Sequence, residues 1–350
     1  MSLVSLERAP PGLHLEYLSA AEYQARPSAD VLGIAAFNGA SLDEARPADA
    51  PLARVRTPVL YGDTEVCEVW RCSDPLTSGG HNRVRFRRCD ELLFGCIAVA
   101  EEEVAGLHAA TTLAYDEICT TLDTSGYLHL LRVWNYLPDI NREAGGTERY
   151  REFNTARQQA LRAGGRLLAG KVPAASALGA TTGSPLVVYF LAGRTAPTFV
   201  ENPRQVSAYH YPRQYGSHSP VFSRAALVRH SGSLALFISG TASIVGHRST
   251  HVGDIAAQTR ETLVNIEALL RQANAAASGT HFDLGSLAGK VYVRRPADLP
   301  IIQAQLAPAL AAGAHFVYLQ ADICRQDLSV EIEAAAIRPL GAGATPDARQ

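Results

Sequence analysis

Residues 201–225 bring Tyr209, Tyr211 and Tyr215 together with Arg204, Arg213 and Arg224. Aromatic walls with guanidinium forks are the combination that a ring-bearing carboxylate needs. The same composition also suits a surface loop with exposed arginines. Pro212 and Pro220 favour the pocket, because they stiffen the loop and preorganised loops are where sites concentrate. A second stretch, residues 237–254, carries Ser239-Gly240-Thr241, where a strand is expected to end at Ser239. Glycine there lets the backbone approach a ligand closely, and Thr241 offers a hydroxyl and an amide beside it. His247 and His251 stand four apart, but Ser249 and Gly253 argue against a helix and no carboxylate pair accompanies them. A helix N-cap and loop packing account for them better than a metal does.

A third stretch, residues 321–334, holds Cys324 and Glu331 on either side of a turn. In a strand, Val330, Ile332 and Ala334 face one way and Glu331 and Glu333 the other. Facing water, such a carboxylate is ordinary. Facing a pocket, it would be desolvated, its pKa would rise, and it could serve as a general acid.

The remaining composition narrows the setting. A chain of 350 residues, 47% hydrophobic, is long enough to close cores in two domains. A net charge of −2 from 32 basic and 34 acidic side chains gives no pull toward nucleic acid or an anionic membrane, so a small neutral or anionic molecule is the expected partner. Only Lys171 and Lys290 are lysines, so an anion would be held by arginine forks. No apolar run approaches the length of about eighteen residues that a membrane-spanning helix needs. Glu7, Arg8, Pro10 and Pro11 do not read as a signal peptide, and a cytoplasmic location is expected. The cysteines at 67, 72, 89, 96, 119 and 324 have no Cys-x-x-Cys spacing, which favours reduced thiols over disulfides or a zinc knuckle; no metal is expected.

The elements that must position these groups repeat. Ile255, Thr259, Leu263, Ile266 and Leu270 share one face of a helix over residues 253–270, with Asp254 as N-cap. A strand over 287–293, a helix over 301–310 and strands over 315–321 and 328–337 follow. Earlier, a helix over 107–122 precedes a strand over 128–135, a helix over 148–163 and a strand over 185–191. Aligning Thr111 with Thr259 puts Leu122 on Leu270 without a gap, which points to a duplicated α+β unit, although any two α+β stretches can be lined up in part. Strands are also expected within 59–71 and 82–99. The Gly-, Ala- and Ser-rich residues 164–184 lack periodicity and read as a long loop. Asn202-Pro203 marks a boundary, giving domains at 1–200 and 201–340 and a tail at 341–350.

Gly240-Thr241-Ala242, Gly253-Asp254, Gln258-Thr259, Asn265-Ile266 and Val330-Glu331-Ile332-Glu333 resemble, in order and spacing, the reactive-intermediate-deaminase (Rid) fold. Over nearly the whole chain the resemblance is closer still to the chorismatases, bacterial enzymes that remove pyruvate from chorismate and are built on two Rid-like domains. It is carried by residues 134–141 (Trp134-Asn135-Tyr136 through Asn141), by residues 150–157 from Tyr150 to Arg157, by Glu201-Asn202-Pro203-Arg204-Gln205, by residues 209–215, and by Phe222-Ser223-Arg224-Ala225. The resemblance implies an α+β fold of two Rid-like (chorismate-mutase-like) domains in tandem, each a mixed sheet with helices packed on one face. Rid domains commonly form trimers with sites at the seams, so a homo-oligomer stays open.

The resemblance also implies an activity: conversion of chorismate to 3-hydroxybenzoate and pyruvate without a cofactor. Gly240, and a cysteine seven residues before the glutamate, are similar to the 3-hydroxybenzoate synthases. Hydrolytic members release a dihydroxycyclohexadiene carboxylate instead, and a third branch yields both 3- and 4-hydroxybenzoate. Glu331 is then the acid that protonates the enolpyruvyl methylene, and Cys324 acts on a later intermediate. Arg157, Arg213 and Arg224 are candidates for the two substrate carboxylates, with Tyr150, Tyr211 and Tyr215 as walls or hydroxyl donors. Tyr209, Gly240, Thr241 and Asn135 complete the expected substrate site. A Rid-type enamine or imine deaminase, releasing ammonia, is the more distant alternative.

Overall fold

The Asp254 carboxylate accepts the Ala257 amide at 2.9 Å and starts the longest helix, Ile255–Ala276, as its sequence pattern predicts. Helix Gly106–Ser125 stops at Gly126, whose φ of 78° is the left-handed turn that glycine adopts without a Cβ penalty. The chain then enters strand His129–Pro138. The computed structural model describes residues 12–26, 28–39, 42, 46–167, 171–216, 218–310 and 313–340; the expected tail at 341–350 lies outside them.

Two six-stranded sheets carry most of the chain. The first runs Ala174–Ala180, His129–Pro138, Leu186–Gly193, Leu92–Val99, Val84–Arg88, Thr77–His81. The second, read from its far edge, runs His315–Gln320, Ala288–Val293, Val330–Pro339, Ser233–Ala242, Ala225–His230, Thr198–Val200. The orders coincide position by position. In each unit three antiparallel strands lead into a long helix, a strand, a second helix and a strand parallel to the one before it; the last strand inserts in the middle. Helices Gly106–Ser125 and Arg149–Ala163 cover one face of the first sheet, and Ile255–Ala276 and Leu299–Leu306 cover one face of the second. Residues 77–339 form two Rid-like α+β units in tandem.

Several expectations need correction. Residues 164–184 are not simply a loop, because Ala174–Ala180 is a strand paired in parallel with His129–Pro138. Its small residues carry no alternation to read, and the neighbouring strand supplies the hydrogen bonds that make it one. The strand expected to end at Ser239 continues to Ala242 past a register shift between Ile238 and Thr241. Residues 82–99 are two strands, and the strand expected from residue 59 begins at Val66.

Strands Leu13–Ser19, Val31–Phe37, Leu52–Val55 and Val66–Cys72 form a third, separate sheet of four strands. Its inner face meets those of the two units. Phe37 and Trp70, Trp134 and Tyr189, and Phe237 and Tyr292, two from each sheet, belong to one apolar core. Within that core lies an ion network. Lys290 contacts Glu68 and reaches Glu333 at 2.8 Å; Arg132 meets Glu333 at 2.6 Å. Trp134 Nε1 donates to Glu333 at 2.8 Å and Trp70 Nε1 to Glu68 at 2.7 Å. Each of the three sheets contributes a charge. Lys290→Met leaves Glu68 and Glu333 buried without the ammonium between them, and should lower unfolding free energy by about 3–5 kcal/mol in denaturant titration. A loss under about 1 kcal/mol, the size of an exposed pair, would show the network to be dispensable.

Candidate active site

The two units meet along the edge strand Ala174–Ala180. The Gly179 amide donates to the Asp322 carbonyl at 2.7 Å, and the Ala175 amide donates to Ser239 Oγ at 2.8 Å. A cavity of about 450 Å³ opens at this seam. Its floor comes from the second unit, through Gly240, Cys324 and Glu331, and one wall from Tyr150 of the first.

Glu331 lies on strand Val330–Pro339, between Ala242 on one side and Tyr292 on the other. A Cβ at Gly240 would overlap its carboxyl group, so the close approach requires glycine. Glu331 is buried, and burial, followed by the charge of Glu333, pushes its pKa up to about 8. Glu333 sits two residues along the same face. Burial acts on it in the same direction, but Lys290 and Arg132 overcome this and hold it below the usual carboxylate range. One carboxyl of the pair is therefore neutral near pH 7 and the other ionised, the separation that assigns acid and base roles in a site. Ser176 Oγ joins them, accepting from Arg132 at 2.6 Å and from the Gly240 amide at 2.9 Å.

Cys324 Sγ lies 3.9 Å from Glu331 Oε2. Desolvation, then Glu331, pushes this thiol up to about 12, so it is uncharged at neutral pH. Arg224 is buried over the Phe222 ring, with Nη2 donating to Tyr211 Oη at 2.7 Å and to the Val206 carbonyl at 2.9 Å. Arg157 is buried over Phe153, with Nη2 donating to Asn154 Oδ1 at 3.0 Å, and lines an inner recess shared with Glu331, Cys324 and Tyr150. The Nε of each arginine is buried without a hydrogen-bond partner among the described residues. Buried donors of this kind call for an acceptor, and an anionic ligand supplies one. Tyr150 is held neutral, chiefly by burial, so its hydroxyl remains a proton-bearing donor.

Residues 68–192 match the family model described as chorismatase FkbO/Hyg5-like, N-terminal. A chorismatase of Streptomyces hygroscopicus is 36% identical over 310 residues, covering 87% of this chain and 88% of the relative. The chain belongs to the chorismatases. A chorismatase of Streptomyces rapamycinicus is 38% identical over 305 residues, 84% of this chain and 88% of the relative. A 3-hydroxybenzoate synthase of Streptomyces hygroscopicus is 41% identical over 233 residues, 64% of this chain and 68% of the relative. The crystal structure of a chorismatase superposes with a TM-score of 0.84 at 33% identity, covering 93% of this chain and 98% of that one.

Not every expected residue of this chorismatase reaches the cavity. Tyr211 and Tyr215 do, with ring centroids 5.5 Å apart. Tyr209 instead packs against the core of the first unit and the ring of His210. Asn135 is fully buried one layer behind, donating to the Ser176 carbonyl at 2.9 Å and accepting from Tyr115 Oη at 2.6 Å. The Thr241 hydroxyl is turned back onto the Ser239 carbonyl at 2.8 Å. The side chain of Arg213 lies outside the described residues. His247 and His251 have different partners, Tyr215 Oη at 3.1 Å and Glu261 at 3.5 Å.

Arg325 was missed by the sequence reading. Its guanidinium lies 4.1 Å over Tyr215 and donates to the His247 carbonyl at 2.9 Å. Adjacency to Cys324 was the one signal pointing to it. Arg132, Ser176 and Glu333 were missed as a unit, because only the packed sheets bring them beside Glu331. An infrared difference spectrum between wild type and Glu331→Gln should show a protonated carboxyl band at neutral pH that fades as pH rises through about 8. A carboxylate already ionised at pH 6 would contradict the site electrostatics.

Proposed function

We propose that this chorismatase converts chorismate to 3-hydroxybenzoate and pyruvate, with Glu331 as the proton donor. The observation that carries the reading is a carboxyl held neutral in a seam cavity, with Cys324 against it and glycine opposite. Chorismate and these two products contain the same atoms, so the conversion needs neither an oxidant nor net water. The slow step is protonation of the terminal methylene carbon of the enol ether, which demands an acid that still holds its proton at neutral pH and is fixed against that carbon.

Glu331 delivers the proton and becomes a carboxylate beside the oxocarbenium ion that forms, stabilising it electrostatically. The ring 4-hydroxyl oxygen then displaces the side chain. The carbon–oxygen bond to the ring breaks, its electron pair completes the carbonyl of pyruvate, and the hydroxyl proton returns to Glu331. The ring epoxide opens and loses a ring proton to give the 3-phenol, with Cys324 acting on this intermediate as a neutral thiol. Arg224, which lines the cavity, and Arg157, which lines its inner recess, are assigned to the two substrate carboxylates. Tyr150, Tyr211 and Tyr215 wall the ring.

Purified protein incubated with chorismate should release pyruvate and 3-hydroxybenzoate in equal amounts on chromatography; no pyruvate release would remove the reading. Glu331→Gln should lower turnover about a hundred- to ten-thousandfold while substrate binding survives. Full activity in that variant would assign the proton to another residue. Because the acid is active in its protonated form, wild-type turnover should fall as pH rises through about 8. Cys324→Ala should shift product from the phenol toward the diene diol, and an unchanged ratio would count against its role.

A further inference from the structure

Four side chains, none of which lines the seam cavity, converge from all three sheets. Cys72 ends strand Val66–Cys72 of the N-terminal sheet, and Asp74 follows it in the adjoining turn. Cys89 sits in the turn between strands Val84–Arg88 and Leu92–Val99 of the first unit. His230 ends strand Ala225–His230 of the second unit, just before the tight turn at Ser231 and Gly232. The two sulfurs, one imidazole nitrogen and one carboxylate oxygen all lie within 4.8 Å of one another. Cys72, Cys89 and His230 are buried, and the Asp74 side chain is about one-third exposed, which leaves an approach from solvent on that side.

We infer that these four groups form a structural site for a soft divalent cation, of which zinc is the chemical type. Two of the separations match the edges of a tetrahedral site. With zinc–sulfur bonds of about 2.3 Å and zinc–nitrogen or zinc–oxygen bonds of about 2.0 Å, tetrahedral edges are about 3.5 Å from sulfur to nitrogen and about 3.3 Å from nitrogen to oxygen. Cys72 Sγ lies 3.6 Å from His230 Nε2, and Nε2 lies 3.4 Å from Asp74 Oδ2. Two thiolates, an imidazole and a carboxylate are a donor set that selects zinc among the common divalent ions.

The surroundings are arranged as a ligand shell requires. His230 Nδ1 lies 3.0 Å from Glu91 Oε2. A proton on Nδ1 donated to that carboxylate leaves the lone pair of Nε2 directed at Cys72 and Asp74, the carboxylate–histidine arrangement that orients metal-bound imidazoles. Asp74 Oδ2 also accepts from Ser231 Oγ at 2.9 Å, and Cys89 Sγ accepts the Leu92 amide at 3.4 Å, so the oxygen and one sulfur are supported from outside. Donor atoms held this close repel unless a cation or protons lie between them. Binding would release the thiol protons to solvent and tie three sheets at a single point. The sequence concealed the site: a Cys-x-Asp pair, a cysteine in the next hairpin and a histidine from the other unit match no ligand motif.

The test uses the full chain, reduced and stripped with chelator, titrated with Co²⁺ and then Zn²⁺. One equivalent of Co²⁺ should produce tetrahedral d–d bands and a thiolate-to-cobalt charge-transfer band, which one equivalent of Zn²⁺ removes, and Zn²⁺ should raise the melting temperature. Cys72→Ser and Cys89→Ser should each weaken the charge-transfer band, whereas Cys324→Ala, which alters the half-buried thiol of the seam cavity, should keep it. Wild-type protein that shows neither band nor melting shift would overturn the site, whether or not the variants fold. A band that survives the double variant at Cys72 and Cys89 would overturn it equally.

Discussion

Burying Glu333 as an ion is the constraint on which the rest of this molecule depends. A carboxylate inside an apolar core is costly unless cations and hydrogen-bond donors surround it. Lys290, Arg132 and the Trp134 indole supply them, and Lys290 in turn needs Glu68 from the third sheet. The network is satisfied only when all three sheets have closed around it. Its charge also reaches the next carboxyl on the same strand face: burial first, and then the repulsion of ionised Glu333 two residues away, disfavours a second ionised group, and Glu331 keeps its proton. The charge buried at the centre thus adds to what burial does at the seam.

Duplication explains where the seam falls. Each unit exposes an edge strand and one uncovered sheet face, because its helices occupy the other. The edge strand Ala174–Ala180 of the first unit lies against the second at Ser223, Ser239, Asp322 and Ile323, so the first unit does not present that edge to solvent. The N-terminal sheet covers the faces that remain. A cavity bounded by two units can combine a carboxyl from one with an arginine and a tyrosine from the other, as Glu331, Arg157 and Tyr150 do.

The loop of residues 201–225 supplies the opposite wall through pairwise support. Arg224 is held by Tyr211, Tyr211 packs on Tyr215, and Tyr215 carries Arg325 on its face. Each guanidinium rests on an aromatic ring and keeps donors in reserve, which orders the wall while leaving capacity for a dianionic ligand.

Local pattern in the sequence was enough for the helices, most strands of the two units and the internal repeat, because helical stripes, caps and strand alternation depend on residues close together in the chain; the Cys324 and Glu331 pair was legible through the family resemblance. Local pattern also gave the aromatic and arginine content of the pocket loop. Tertiary structure alone decided that Ala174–Ala180 is a strand, that Tyr209, Thr241 and Asn135 turn away from the cavity, and that Arg325 enters it. It alone brought Arg132, Lys290, Glu68 and Glu333 together from positions up to 265 residues apart. The reason is physical: a small-residue edge strand gets its hydrogen bonds from its neighbour, and the ionisation of a buried carboxyl is set by charges that reach it through space.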